Sequence, residues 1–332
     1  MENAMNNIEV KPRIYLDNAS TTKPLRYVMD AVNDAVYEQY GNPSSLHDIG
    51  RKANEAVEKA RKTIADFIGA KSSEIYFTAG GSESDNMALR GIASHLKSIG
   101  KTMIITTQIE HHAVLNTCKD LEKDGFTVIY MPIDQDGRVD IEELNRVMEK
   151  YKDQIGLVSI MAVNNEIGSI QLLEDIGDLC QEYHVLFMTD AVQAYGHIPL
   201  DVNEYHIDFL TASGHKVHAL KGIGILYVRD GIPMKSIITG GGQERGLRAG
   251  TENVFGIISM GAATEGLAKT MNENEEYFKE LRNTFLSTLD ELSVSYKVNT
   301  DVGVPNIISL TLPGCESEAM LLLLNQKQVY VS

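Results

Sequence analysis

Apolar residues in this chain fall in short unbroken runs, separated by segments whose apolar residues return every three or four positions. From about residue 69 to 230 the two patterns alternate, and seven runs predict strands over 75–78, 103–107, 127–131, 157–162, 185–189, 209–212 and 223–228. A run that is apolar at every position suits a strand buried on both faces. Strands that alternate with amphipathic helices close into a mainly parallel sheet covered on both sides. Ahead of this region, 14–16 reads as a short strand, and Asp17-Asn18-Ala-Ser-Thr-Thr22 before Pro24 reads as a turn and helix start. Helices are predicted over 24–40 and 46–68, parted by Gly41-Asn-Pro-Ser-Ser45. Residues 1 to about 13 read as a loose terminus. After a glycine-rich, charged stretch at 240–251, a long helix is predicted over 253–292, a strand over 305–312, a helix over 316–325 and a strand over 329–331. The pattern is α/β, with a large domain over 14–256 and part of a smaller α+β domain over 257–332, on which the first residues also pack.

Ligands of such sheets bind beyond the carboxyl ends of the strands, and the chain places its candidate chemistry there. Thr211-Ala-Ser213-Gly-His215-Lys216 follows an apolar run, and a lysine held at a strand end can lose its proton and become the nucleophile for an aldehyde cofactor. Alone, the motif describes an exposed loop lysine equally well. Asp190, with Gln193 three residues on, ends another run; it suits the carboxylate that keeps a cofactor's pyridine nitrogen protonated, and it also suits a helix cap. Gly80, Gly81 and Ser82 stand between a strand and a helix, where backbone N–H groups and the helix end can receive a phosphate, or where an ordinary helix begins. His111 and His112 follow a strand; a ring there can lie on a cofactor and move protons, and no carboxylate or thiol stands at a ligand spacing that would make the pair a metal site. Asn164-Asn165-Glu166 forms a polar turn that can set an amide over a cofactor or simply join strand to helix. In Gly240–Thr251, Arg245, Arg248 and Thr251 can meet anions.

Composition narrows the reading. With 332 residues the chain can bury a large core, and a formal charge of −16 argues against general affinity for nucleic acid or an anionic membrane. Cys118, Cys180 and Cys315 form no paired motif, which suits a reducing, cytoplasmic setting. Cys118 and Cys180 read as core residues and Cys315 as exposed. No apolar run is long enough to span a membrane.

Taken together, Thr78-Ala-Gly80-Gly81-Ser82-Glu-Ser-Asp85-Asn86, Glu110-His111-His112-Ala-Val-Leu115, Val163-Asn164-Asn165-Glu166-Ile-Gly168, Thr189-Asp190-Ala-Val-Gln193, Ser213-Gly-His215-Lys216 and Gly240–Thr251 closely resemble the cysteine desulfurases of the nitrogen-fixation and iron–sulfur-assembly group, in the class V aminotransferases. The resemblance implies a fold-type I, aspartate aminotransferase-like enzyme dependent on pyridoxal 5'-phosphate. It implies that Lys216 holds the cofactor and moves the substrate's α-proton, and that Asp190 faces the ring nitrogen. Gln193 and Asn165 would lie at the phenolic oxygen, and His111 would stack on the ring. Gly81, Ser82, Ser213 and His215 would hold the phosphate, with Thr251 arriving from the partner of a homodimer. L-cysteine would be converted to alanine, its sulfur leaving as a persulfide for a sulfur-acceptor or scaffold protein. In the family the nucleophilic cysteine lies beyond the strand at 329–331, so the sequence ending at Ser332 is expected to bind cofactor but release little alanine. The same residues also suit another class V enzyme, an aminotransferase or selenocysteine lyase, or a non-catalytic cofactor-binding scaffold.

Overall fold

Every one of the seven apolar runs becomes a strand of a single sheet. The computed structural model describes residues 13–332, so the expected loose terminus lies almost wholly outside the described residues. In chain order the elements are β1 (Ile14–Tyr15), α1 (Arg26–Glu38), α2 (Asp48–Phe67), β2 (Ile75–Thr78), α3 (Gly81–Ser98), β3 (Met103–Thr107), α4 (His112–Lys123), β4 (Thr127–Met131), α5 (Ile141–Tyr151), β5 (Ile155–Ser159) and α6 (Leu173–Glu182). They continue as β6 (Leu186–Asp190), β7 (Phe209–Ser213), β8 (Gly224–Val228), α7 (Val254–Glu291), β9 (Lys297–Val298), β10 (Leu310–Thr311), α8 (Ser317–Gln326) and β11 (Val329–Tyr330).

The sheet order is β2-β8-β7-β6-β5-β3-β4. Strands β4, β3, β5, β6 and β7 run parallel, and β8 runs antiparallel to both β7 and β2. Alternate residues of each strand feed two apolar layers. Ile105, Val158, Phe187 and Leu210 belong to the layer shared with α2 and α7, whereas Ile104, Leu157, Met188, Phe209 and Leu226 meet Met87 and Leu89 of α3 and Val114 and Cys118 of α4. Burial on both faces is why these strands lack a polar alternation.

Two predicted spans shift. The strand expected over 157–162 runs from Ile155 to Ser159, and Ile160–Ala162 continue, fully buried, as the start of the following loop. The strand expected over 305–312 shrinks to Leu310–Thr311, paired with β9, because Ile307 turns into the core instead of extending a ladder. Outside the large sheet, β1 pairs in parallel with β11, bringing the first described residues against the last. Along α7 the buried positions end at Leu267, and the remaining turns run outward from the core.

Candidate active site

The candidate residues converge at the carboxyl ends of β5, β6 and β7 and at the start of α3. Asp190 closes β6 opposite Thr211 of β7, and Ser213 closes β7 two residues later; both side chains are buried. A short helical turn, Gly214–Lys216, then carries His215 and Lys216.

The turn before α3 is built from glycine for two steric reasons. Gly80 has φ +154° and ψ 177°, a combination that side-chain-bearing residues avoid. It also lies so close to Gly224 of β8 that a Cβ on Gly224 would sit 2.6 Å from the Gly80 Cα. A Cβ on Gly81 would come within 2.7 Å of the Val192 side chain and 3.8 Å of Ser213 Cβ, which places the loops after β2, β6 and β7 in one corner. No side chain caps α3, so its first N–H groups are left for another acceptor. Ser82 and Asp85 form no capping box. Asp85 instead turns inward and accepts a hydrogen bond of 2.7 Å from Thr211 Oγ1, while Ser84 Oγ lies 2.7 Å from Thr78 Oγ1. Ser82 itself is exposed.

Lys216 Nζ donates to the carbonyl of Ala19 and, at 2.9 Å, to that of Ser20. Burial lowers its affinity for the proton, opposed by the charges of Asp190 and Asp17. At Asp190, burial raises the carboxyl above the usual range, opposed first by the Val192 N–H at 2.9 Å and then by the nearby basic groups His111 and Lys216. The amine and the carboxyl thus act on one another across a common space. His111 caps α4, its Nδ1 accepting the Ala113 N–H at 3.1 Å, so the neutral ring carries its proton on Nε2. Its ring lies edge-on to that of His112, with centroids 6.2 Å apart. No three His, Cys, Asp or Glu residues among those described are grouped as a metal site.

The two asparagines of the polar turn divide their work. Asn164 is buried, accepts the N–H groups of Glu166 and Ile167 at 2.9 Å each and donates to the Ile109 carbonyl, tying the turn after β5 to the turn before α4. Asn165 is half-buried, and no side-chain hydrogen bond occupies its amide among the described residues.

Sequence reasoning missed the part played by Asp17–Thr22, read there only as a turn. This segment lies over the site: the Ala19 carbonyl accepts from both Lys216 and Gln193 Nε2, the latter at 2.8 Å, and Thr22 donates its N–H and its hydroxyl to the His215 carbonyl. Thr21 Oγ1 lies 3.2 Å from His215 Nδ1. The available signal was the pair of hydroxyls ahead of Pro24, but nothing in the spacing says what they would touch.

The loop 240–251 is anchored, and its arginines are committed within the chain rather than left for anions. Arg245 stacks 4.1 Å from the centroid of the Tyr76 ring and donates to the Ile75 carbonyl, and Arg248 pairs with Glu83 at 2.8 Å. Glu244 is buried in a two-pronged pair with Arg61, both contacts at 2.9 Å. Thr251 is exposed, on the rim of a small cavity of about 90 Å³ beside Thr78 and Arg248. Cys118 and Cys180 are buried and Cys315 is exposed.

Comparison with known proteins agrees with this geometry. The family model described as aminotransferase class-V matches residues 14–332. The cysteine desulfurase IscS of Methanosarcina thermophila is 43% identical over 320 residues, which cover 96% of this chain and 78% of that protein. The enzyme of the same description from Dictyoglomus turgidum is 44% identical over 325 residues, 97% of this chain and 82% of its own length. Among solved structures, a NifS-like protein superposes with a TM-score of 0.92 at 39% identity, covering 97% of this chain and 87% of that one. A structure described as SspA in complex with cysteine gives a TM-score of 0.83 at 35% identity, over 95% of this chain and 87% of the other.

Proposed function

The chain belongs to the class V aminotransferase family and to its pyridoxal-phosphate-dependent cysteine desulfurase group, and from that premise we propose that it binds pyridoxal 5'-phosphate at Lys216 and takes L-cysteine as its substrate. Its sheet and topology are those of the fold-type I, aspartate aminotransferase-like enzymes. The observation that carries the reading is a half-buried amine and a buried carboxyl that follow or close adjacent parallel strands, beside an uncapped helix start.

The residues suit this cofactor in kind and in shape. A planar aldehyde with an anionic phosphate needs a nucleophilic amine, an acid for its ring nitrogen and an unobstructed cluster of N–H donors. Lys216, Asp190 and the turn Gly80–Ser82 answer these needs, with the hydroxyl of Ser213 and the ring of His215 beside the phosphate position. When bound, the cofactor withdraws electrons from the substrate's α-carbon. Lys216 binds the cofactor through its amine; because burial lowers its proton affinity, it can also take up and return the α-proton. Asp190 holds the proton on the ring nitrogen. His111, fixed as an Nε2–H donor by its cap bond to Ala113, would cover the ring and assist proton transfer. Gln193 and Asn165 supply amide donors for the phenolic oxygen. For Gln193 this means exchanging its present bond to Ala19.

The solved relative described in complex with cysteine supports this substrate, and sulfur transfer to an acceptor or scaffold protein follows by family. We further assign 14–256 to a large cofactor-binding domain and 257–332 to part of a smaller one, supported by the end of burial on α7 at Leu267 and by the pairing of β1 with β11. A homodimer in which Thr251 reaches the partner's phosphate gives this exposed threonine a role. Three unpaired cysteines support a cytoplasmic setting.

The test is reconstitution with pyridoxal phosphate followed by dialysis. A retained visible absorbance band that disappears in Lys216→Ala, and that changes on addition of L-cysteine, is the expected result. A dialysed protein with no band, or a band that survives Lys216→Ala, refutes it.

A further inference from the structure

Three carboxyl side chains from three different elements are buried near one another: Asp85 bonds Thr211, which pairs with Asp190, and Glu110 bonds the Met161 N–H beside the Ala162 N–H that the Asp190 carbonyl accepts. Asp85 lies on α3, Glu110 in the turn before α4 and Asp190 at the end of β6, with exposures of 1%, 4% and 4%. Each influences another: Asp85 feels Asp190 and Glu110, and Glu110 feels Asp190. Their hydrogen bonds come from neutral donors. Asp85 accepts from Thr211 Oγ1 at 2.7 Å, Asp190 from the Val192 N–H at 2.9 Å, and Glu110 Oε1 from Thr107 Oγ1 and the Met161 N–H at 2.9 and 3.0 Å.

Three negative charges in this volume would repel one another while losing their hydration. The basic groups facing the cluster are His111 and Lys216, and they act on Asp190. Among the described residues, the groups that act on Asp85 are the other two acids and the Thr211 hydroxyl. The group on α4 that faces Glu110 is the Cys118 thiol, which burial pushes up to about 12 and so keeps neutral. Glu110 gathers both donors on one oxygen and leaves Oε2 buried with no partner among the described residues, the asymmetry of a carboxylic acid rather than a carboxylate.

We infer that Asp85 and Glu110 are positioning residues of this site, two protonated acids packed against Asp190 whose neutrality leaves Asp190 as the one ionised carboxyl of the cluster. This rests on the reading of Asp190 as the partner of the cofactor's ring nitrogen. Burial acts in the required direction, raising Asp85 well above the carboxylate range and Glu110 to about 8. An ionised neighbour would strengthen the hold of Asp190 on its own proton and remove the charge that the ring nitrogen needs.

The experiment uses the full chain loaded with pyridoxal phosphate, as wild type and as Asp85→Asn, Glu110→Gln and Asp190→Asn. Infrared spectra near pH 7 report protonated carboxyl groups directly. One such group is expected to vanish in Asp85→Asn and one in Glu110→Gln, with none lost in Asp190→Asn. The visible band of bound cofactor should stay in place near neutral pH in the first two variants and move in the third. Above about pH 8 the wild-type band should shift as Glu110 ionises, and Glu110→Gln should abolish that transition. Unchanged infrared spectra in Asp85→Asn and Glu110→Gln overturn the inference even if Asp190→Asn moves the visible band. An unmoved visible band in Asp190→Asn sinks the underlying reading instead, and the inference with it. The wild type alone supplies a check that needs no variant: an infrared titration between about pH 6 and 9 must lose one buried carboxyl band, and a flat titration overturns the assignment of Glu110.

Discussion

Replacing Glu244 by alanine should cost more than any other single change in the loop that carries Thr251. The guanidinium of Arg61 and the carboxylate of Glu244 are 4% and 3% exposed, and they meet through two parallel contacts of 2.9 Å. Glu244 Oε2 also accepts the Phe77 N–H at 2.9 Å, so one side chain fixes both the α2 arginine and strand β2. Without Glu244, Arg61 keeps the Ile75 carbonyl at 2.8 Å and the half-exposed Glu58 at 3.0 Å, but its buried charge is no longer balanced and the Phe77 N–H is orphaned. Breaking one side of a buried pair costs about 3–5 kcal/mol, whereas removing both charges together is close to neutral. Glu244→Ala should therefore lower the thermal midpoint by about 6–10 °C, taking about 2 °C per kcal/mol for a chain of this size. Arg61→Met/Glu244→Met should recover most of that loss, its remaining deficit being the Phe77 N–H. Circular dichroism melts at one fixed protein concentration make the measurement, because association shifts the midpoint by mass action. A Glu244→Ala midpoint within about 2 °C of wild type, or a double variant no more stable than the single one, refutes the reasoning.

Further outcomes follow from the same contacts. Asn164→Ala removes the acceptor for two backbone N–H groups and should cost about 1–3 kcal/mol in denaturation, whereas Asn165→Ala should leave stability unchanged and weaken the change that L-cysteine makes in the visible band; equal destabilisation of the two contradicts the division between them. Gly224→Ala drives a methyl to 2.6 Å from the Gly80 Cα, and should cost about 1–3 kcal/mol while loosening retention of pyridoxal phosphate on dialysis; unchanged retention would show that the turn at Gly80 does not hold the phosphate. Glu110 is raised from 4.5 to about 8 in the folded chain, so the stability it contributes is complete below the unfolded value and is lost as pH rises through the folded one. Relative to Glu110→Gln, the wild type should lose about 4–5 kcal/mol between acid pH and about pH 9, and parallel melting curves across that range would disprove the assignment.

What the sequence made legible divides along a physical line. Strands β3, β5, β6 and β7 are buried on both faces, so their positions show as unbroken apolar runs, and each places its chemistry at a carboxyl end where a loop motif marks it. The direction of β8 is less visible, because its composition, Gly-Ile-Leu-Tyr-Val, is that of a parallel strand. The ten residues between Ser213 and Gly224 fall short of a usual crossover, and that connection length was the only sign that β8 runs the other way. Contacts between distant segments leave no periodic trace at all. The return of Ala19 and Ser20 onto Lys216, the pairing of Arg61 with Glu244 across 183 positions, and the meeting of Asp85 with Thr211 each join residues whose local context explains them otherwise, as turn, surface arginine or helix cap. The same holds for Arg245 and Arg248: charge in a glycine-rich loop suggested anions, but Tyr76 and Glu83 had to be placed before those arginines were seen to be committed. A motif at a strand end therefore marks where cofactor chemistry gathers, and burial of its neighbours sets the protonation it works with. Glu110 illustrates both: it lies in a motif that drew attention to the adjacent histidine, and its own significance depends on a bare oxygen that only three-dimensional packing creates.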